Sequence, residues 1–437
     1  MKKLFGTDGI RGIVNEVITP KLSVKLGNAL GRFYNGEHTK VLIGMDTRGS
    51  GDMLSSAIAS GASSAGMNVE IIGILPTPSL AYLTKKYNCL GVMISASHNP
   101  AIYNGLKVLE NGKKISDFNE VQLEKLMEEG YNYTTYSQIG KIDYRPDLKQ
   151  DYVNYVVNEY KNTDFIKDNI VVDCAFGAAS AVVSEVFGKL GIYAEYNFTD
   201  YNGININEEC GSMNPEILSK MLKDNQIGIL FDGDADRCLF VLSQNRIING
   251  DMLLSMNAQK MLAENRLNKQ TVVATVMSNL GFENSLKSNE IELKRTKVGD
   301  KYVLQNMIEN EFSLGGEQSG HIIFFDKNTT GDGLITALET LNTLKKLQIN
   351  LDEFYSEFPV YPQILKNIPV VDKKMVMQNE KIIDSLEKYG ENKNIRIVLR
   401  PSGTEPLIRI MVEGRDENEV ENITNKLIEL VEEILDE

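Results

Sequence analysis

The sequence predicts an α/β protein: three similar α/β domains with mixed sheets, followed by a smaller C-terminal α+β domain. Three observations carry this. Short apolar runs alternate with helix-period stretches through most of the chain, the alternation lapses and restarts twice, and the final segment changes to helix–strand–strand–helix. At 437 residues the chain is also too long for one ordinary core, since domains hold roughly 100–200 residues each.

In chain order, Leu26, Ala29, Leu30 and Phe33 mark an amphipathic helix, Lys40–Met45 reads as a strand, 53–65 as a helix and 67–75 as a strand. This βα alternation implies a parallel or mixed sheet covered by helices, with ligands at the loops leaving the carboxyl ends of strands. The polar, tyrosine-rich stretch 131–144 breaks the pattern. An apolar run at 170–172 then leads into a helix over 178–190, which places a boundary near 150. A helix over 252–267 precedes a strand over 271–276, so a second boundary falls near 250. The proline-bearing FPVYPQILKNIPV at 358–370 marks a third. The expected domains are 1–150, 151–250, 251–365 and 366–437. The last reads as a helix over 379–389, strands over 396–399 and 407–412, and a helix with Val420, Ile423, Leu427, Leu430 and Ile434 on one face. No fixed-period repeat links the earlier domains.

Composition narrows the function classes. Hydrophobic residues are 42% and charged residues 24%, so no segment is expected to be disordered. No apolar run approaches the roughly 18 residues of a membrane span, and the start MKKLFGTDGIRG lacks the apolar core of a signal peptide, so a cytoplasmic location is expected. A net charge of −14 argues against nucleic-acid and anionic-membrane partners, and an anionic substrate would need local positive clusters. Cys89, Cys174, Cys210 and Cys238 have neither metal-type nor disulfide-framework spacing and are expected as reduced, buried thiols.

Five segments bear chemistry. GVMISASHNP at 91–100 runs from a strand into a polar turn, exposing Ser97 beside His98; alone, such a pair is as readily a turn as an activated nucleophile. Lys107, in the following YNGLKV, adds a charge or a proton donor. IGILFDGDADR at 227–237 is an apolar strand ending in three alternating carboxylates. Period-two spacing would turn Asp232, Asp234 and Asp236 to one side, where they could hold a hard divalent cation; otherwise they form a solvated acidic turn. An EF-hand fails, because its sixth position would be Arg237 and its twelfth Ser243. LGGEQSGH at 314–321 places Glu317, Gln318, Ser319 and His321 on a glycine-rich loop suited to sugar hydroxyls, or to a plain hairpin. RPSGTEP at 400–406, followed by Arg409, offers backbone N–H groups, hydroxyls and guanidinium groups to a phosphate. FGTDGIRG at 5–12 adds Arg11 in a glycine-rich loop. No P-loop, dinucleotide fingerprint or HExxH is present.

Taken together and in this order, the serine loop, DGDADR, GEQSGH and RPSGTEP resemble the alpha-D-phosphohexomutase superfamily from end to end. GEQSGH with Gln318, TVMSNLG at 275–281, RTKVGDKYV at 295–303 and TTGDG at 329–333 are most similar to its bacterial phosphoglucosamine mutase branch. The resemblance implies four domains around a central cleft. It implies a phosphorylated Ser97 that binds Mg²⁺ with Asp232, Asp234 and Asp236, and a hexose 1,6-bisphosphate that serves as intermediate and primer. Glu317, Gln318 and Ser319 would hold the sugar, and Arg400, Ser402, Gly403, Thr404 and Arg409 its phosphate. Arg11 and Arg237 would steady the moving phosphoryl group, Lys107 and His321 would handle protons, and His98 would orient the serine loop. The implied partner is a small sugar phosphate, and the implied enzyme is an isomerase of glucosamine phosphates, with a homodimer as a possible assembly. Phe176, Met213, Asn214, Tyr103 and Asn249 depart from the superfamily pattern. A mutase for mannose or glucose phosphates is the nearest alternative, and a phosphosugar-binding regulator without turnover is a second.

Overall fold

The computed structural model describes residues 4–6, 8–34, 36–370, 372–390, 392, 394–401 and 406–436. Within these residues the chain forms four sheets. The first contains, in spatial order, Ile10–Ile13, Tyr103–Glu110, Leu90–Ile94, Lys40–Met45, Asn68–Ile74 and Ile142–Tyr144, with Lys113–Lys114 set against Tyr103–Glu110. Lys40–Met45 is parallel to both neighbours and apolar through its middle, as expected of a strand covered on both faces. The helix Pro20–Phe33 starts where Thr19 accepts from the Leu22 N–H and proline occupies the first turn. Its contact with the helix Gly51–Ser64 depends on two glycines. A Cβ on Gly27 would sit 2.2 Å from the Ile58 carbonyl oxygen, and one on Gly61 2.2 Å from that of Val24.

The second sheet runs Arg246–Ile248, Cys238–Leu242, Ile227–Phe231, Ile170–Asp173, Ala194–Asn197, and the third runs Glu292–Thr296, Thr271–Thr275, Leu314–Gly316, Ile322–Phe324. All three share one device: a strand parallel to its inner neighbour is followed directly by an antiparallel partner. The pairs are Leu90–Ile94 with Tyr103–Glu110, Ile227–Phe231 with Cys238–Leu242, and Leu314–Gly316 with Ile322–Phe324. The connecting loops are the serine, aspartate and GEQSGH segments. The fourth sheet, Gln363–Pro369, Leu407–Gly414 and Ile395–Pro401, is antiparallel throughout.

The first and fourth sheets have their own apolar clusters, whereas the second and third share one that runs from Tyr152 to Phe358. All four cysteines are free and buried. No helix among the described residues is long and apolar enough to cross a membrane.

Several elements differ from expectation. Gln363–Pro369, within the proline-bearing stretch, is a full edge strand; an edge leaves one row of N–H groups unpaired, so proline costs no ladder bond there. The expected helix over 178–190 is a 3₁₀ turn, Ala178–Ala181, and a short helix, Val183–Lys189, separated at Val182, where φ is −137°. Arg11 lies on the strand Ile10–Ile13 rather than in a loop. The stretch 131–144 ends in a short strand, Ile142–Tyr144, parallel to Asn68–Ile74.

Candidate active site

The strand Ile227–Phe231 stops before the first of its three aspartates. Period-two spacing therefore does not bring the carboxylates together; a turn does, with Ala235 at φ +55° and its N–H donating to the Asp232 carbonyl at 3.0 Å. Asp232, Asp234 and Asp236 each offer an oxygen within 4.8 Å of the others, and all three are buried. The hydroxyl of Ser97 reaches the same point from the first sheet and donates to Asp232 Oδ2 at 2.6 Å. Ser97 is 2% exposed and held at φ +52°, a conformation costly for a residue with a Cβ, so its surroundings must impose it.

Arg48, which the sequence reading did not single out, is the main constraint. Its fully buried guanidinium spends all five N–H donors: on Asp46, on the carbonyls of Ser97 and Asn99, and on those of Pro100 and Tyr103. Asn207, from the loop that follows Ala194–Asn197, donates to the Ser97 and Asn99 carbonyls as well, at 2.9 and 3.1 Å. Thr77 donates to Asp234 Oδ2 at 2.6 Å. The first and second sheets are thus joined at the contact between Ser97 and the aspartates. Arg48 and Thr77 act on backbone and on a distant loop, and no local pattern announces that; the only signal is their position just after strands.

Electrostatics sort the aspartates. Burial and then repulsion from Asp236 and Asp234 push Asp232 well above the ordinary carboxylate range, and Asp236 is raised by burial and Asp234. Asp234 goes the other way: burial raises it, but the charge and hydrogen bond of Lys107, 2.8 Å away, and the Thr77 hydroxyl together bring it below the ordinary value. Burial lowers Lys107, but Asp234, Asp8 and Asp236 together outweigh it and hold the ammonium above the usual lysine value. Asp8 also pairs with Arg11 and Lys114, and Lys114 pairs in turn with Asp300. Arg237 donates its backbone N–H to Asp232 Oδ1 at 3.2 Å, and its Nε lies 4.0 Å from Asp236. His98 Nδ1 is 3.3 Å from the Ser97 hydroxyl, and burial followed by Arg237 and Arg11 lowers the His98 imidazole to about 4, so the ring is neutral at pH 7.

His321 approaches from the third sheet. Its Nε2 is 3.7 Å from Asp300 and 4.0 Å from Asp236, and neither ring nitrogen has a hydrogen-bond partner among the described residues. In the same loop, Glu317 Oε1 accepts from the Gly299 N–H at 3.2 Å, and Gln318 Nε2 donates to Asp251 at 3.4 Å. Ser319, the third sugar-loop residue, is half-buried. The bonded cluster around Ser97 draws on the first three sheets. Arg400 and Arg409 lie on the fourth, directly opposite each other on adjacent strands. Two guanidinium groups so placed repel unless an anion lies between them, and burial together with Arg409 lowers the Arg400 guanidinium. Ser402, Gly403 and Thr404 lie outside the described residues.

The family model described as phosphoglucomutase/phosphomannomutase alpha/beta/alpha domain I matches residues 2–134, that of domain III matches 249–361, and that of the C-terminal domain matches 365–430. The chain belongs to the phosphoglucomutase/phosphomannomutase family. Within this alpha-D-phosphohexomutase superfamily it is similar to proteins named phosphoglucosamine mutase. The Thermosipho africanus protein is 44% identical over 98% of each chain, and that of Clostridium botulinum strain Loch Maree is 43% identical over 99% of each. Among solved structures, a family member from Burkholderia thailandensis superposes with a TM-score of 0.80 at 23% identity, covering 98% of this chain and 97% of that one. An N-acetylphosphoglucosamine mutase from Aspergillus fumigatus, in complex with GlcNAc-6P and magnesium, has a TM-score of 0.69 at 16% identity, covering 99% and 96%. At these identities the two structures speak for the fold.

The family's divalent ion can be tested against the residues present. Asp234 Oδ1 and Asp236 Oδ1 are buried with no hydrogen-bond partner among the described residues, and the converging donors are all oxygens. A hard cation such as Mg²⁺ fits this set.

Proposed function

We propose that the chain interconverts glucosamine 6-phosphate and glucosamine 1-phosphate through a phosphorylated Ser97 and a 1,6-bisphosphate. The observation that carries this is the 2.6 Å contact between the Ser97 hydroxyl and a buried aspartate trio from another sheet. Mg²⁺ held by Asp232, Asp234, Asp236 and phosphorylated Ser97 would offset charge on the moving phosphoryl group. The remaining work falls to the chain. The phosphorus–oxygen bond at Ser97 breaks as one forms to a sugar hydroxyl, whose proton passes to a nearby base. His321, with two unpartnered ring nitrogens, is suited to take it. Lys107, held protonated, supplies charge and can give a proton to the departing oxygen but cannot take one. Arg11 and Arg237 add positive charge, while His98, beside the hydroxyl and neutral, orients it.

Glu317, Gln318 and Ser319 would hold the sugar, and Arg400 and Arg409 with the 402–404 segment would hold the phosphate not being transferred. The bisphosphate would then turn in the cleft and return its other phosphate to Ser97, with a hexose 1,6-bisphosphate as primer. This reading assigns one loop to each of the domains 1–150, 151–250, 251–365 and 366–437, and places the enzyme in the cytoplasm. Similarity to relatives named phosphoglucosamine mutase favours the amino sugar over mannose or glucose phosphates.

Intact-mass and peptide analysis of the purified protein is the decisive test. One added phosphate on Ser97, absent in Ser97→Ala together with turnover, is the expected result. A phosphate elsewhere, or a Ser97→Ala variant that still turns over, overturns the mechanism; faster turnover of a neutral hexose phosphate overturns the substrate.

A further inference from the structure

Asp251 takes no part in the chemistry above, yet it is 1% exposed and its Oδ1 has no partner among the described residues. It lies in the first turn of the helix Gly250–Ala263, where an acidic residue often does no more than complement the helix dipole. That explanation is insufficient here. Asn249 already caps the helix by accepting from the Met252 N–H, and an exposed carboxylate would serve the dipole without the cost of burial. The other oxygen, Oδ2, accepts from the Asn279 N–H at 2.8 Å and from Gln318 Nε2 at 3.4 Å.

These contacts orient the Gln318 amide. A side-chain amide can turn either end toward a neighbour, but an ionised carboxylate only accepts, so the NH₂ end must face Asp251. Burial first, moderated by the Asn279 N–H, raises Asp251 to about 6, which leaves it ionised at neutral pH. The hydrogen bonds among the described residues leave the side-chain amide oxygen of Gln318, Oε1, unused. The loop backbone is pinned on the same helix: the Gly250 N–H donates to the Gln318 carbonyl at 2.9 Å, and a Cβ on Gly250 would lie 2.0 Å from the Glu317 carbonyl oxygen.

We infer that Asp251 is a positioning residue for substrate selection: it fixes the Gln318 amide so that its oxygen is presented as an acceptor to a cationic substituent, the ammonium at the sugar's 2-position. This rests on the amino-sugar reading above and supplies a physical basis for it. A hydroxyl can also donate to the oxygen, but an ammonium gains a charge-assisted bond and a hydroxyl does not.

The test is the ratio of kcat/KM for glucosamine 6-phosphate to that for glucose 6-phosphate at pH 7.5, in the wild type, Asp251→Asn, Gln318→Met and the double variant. An asparagine keeps an acceptor for the Asn279 N–H but, being uncharged, holds the NH₂ end of Gln318 only weakly. The expected result is a wild-type preference for the amino sugar that falls about tenfold to a hundredfold in Asp251→Asn. The loss should appear mainly in KM for the amino sugar, with kcat for glucose 6-phosphate kept within about threefold. Gln318→Met should lose as much, and the double variant no more than either alone. Equal losses on both sugars in Asp251→Asn, or additive losses in the double variant, would mark Asp251 as merely structural and sink the inference. A wild type that prefers the amino sugar beside an Asp251→Asn variant of unchanged ratio overturns this inference alone. A wild type without that preference overturns the amino-sugar reading and this inference with it.

Discussion

At the scale of single residues, the site depends on atoms that are missing as much as on those present. Gly331, in the TTGDG segment, lies flat against His321; a Cβ there would be 2.4 Å from the ring's Nε2. Gly331→Ala must push the imidazole aside, and a displaced proton-transfer group about 1 Å from its place costs about a hundredfold in kcat. Steady-state kinetics should show that loss with little change in KM, and the far-ultraviolet circular dichroism should stay that of the wild type. Asp173 gives a prediction of another kind. Burial raises its carboxyl to about 7, against the pull of the Gly211 and Ala175 N–H groups. An unfolded aspartate titrates near ~3.9, so between the two values the folded chain holds a proton the unfolded chain has lost. The stability this provides is complete below about pH 4 and is lost as pH rises through about 7. Urea unfolding at pH 5 and pH 7.5 should therefore differ less in Asp173→Asn than in the wild type.

At the scale of elements, the serine loop is held chiefly by one side chain. Arg48 donates to four carbonyls between Ser97 and Tyr103, and its Nε, 3.0 Å from Asp46, offsets part of the burial that raises that carboxyl. Arg48→Met takes one donor from each of those carbonyls and the counter-charge from the buried Asp46, a loss of about 3–5 kcal/mol. Denaturant titration should register it, and hydrogen exchange should speed up across 95–103. Arg48→Lys retains the charge but not the five-donor fork, so it should recover part of the stability and little of the turnover. Asn249 illustrates a tolerant position: it caps the helix by accepting from the Met252 N–H, and an aspartate there would cap it equally well.

At the scale of the whole molecule, the second and third sheets form one cooperative block. Their common apolar cluster is crossed by a buried ionic group in which Glu339 takes bonds from Lys260, Arg266 and the Tyr160 hydroxyl. Lys260→Met strands part of that charge and should cost about 3 kcal/mol, whereas Lys260→Met with Glu339→Leu should recover much of it. Calorimetry of both variants checks this, and segment 251–365 expressed alone should fail to give a cooperative transition. The fourth sheet is attached differently. Arg396 donates to the carbonyls of Val276 at 2.6 Å and Ser278 at 2.8 Å, a polar joint that permits separate unfolding.

The sequence by itself determined the α/β class, most helices and strands, and which loops carry the chemistry, because apolar periodicity and clustered Gly, Asp and Ser are local properties of the chain. The proline-bearing Gln363–Pro369 strand escaped that reading, because its edge position is set by pairing with the distant strand Leu407–Gly414. Tertiary structure alone decided that Ser97 meets Asp232, that Arg48 grips the serine loop, that Lys107 sits among the carboxylates, and that Asp251 faces Gln318. Each of these depends on a carbonyl or carboxylate brought close by the packing of separate sheets, and hydrogen bonds to such groups leave no periodic trace in the order of residues.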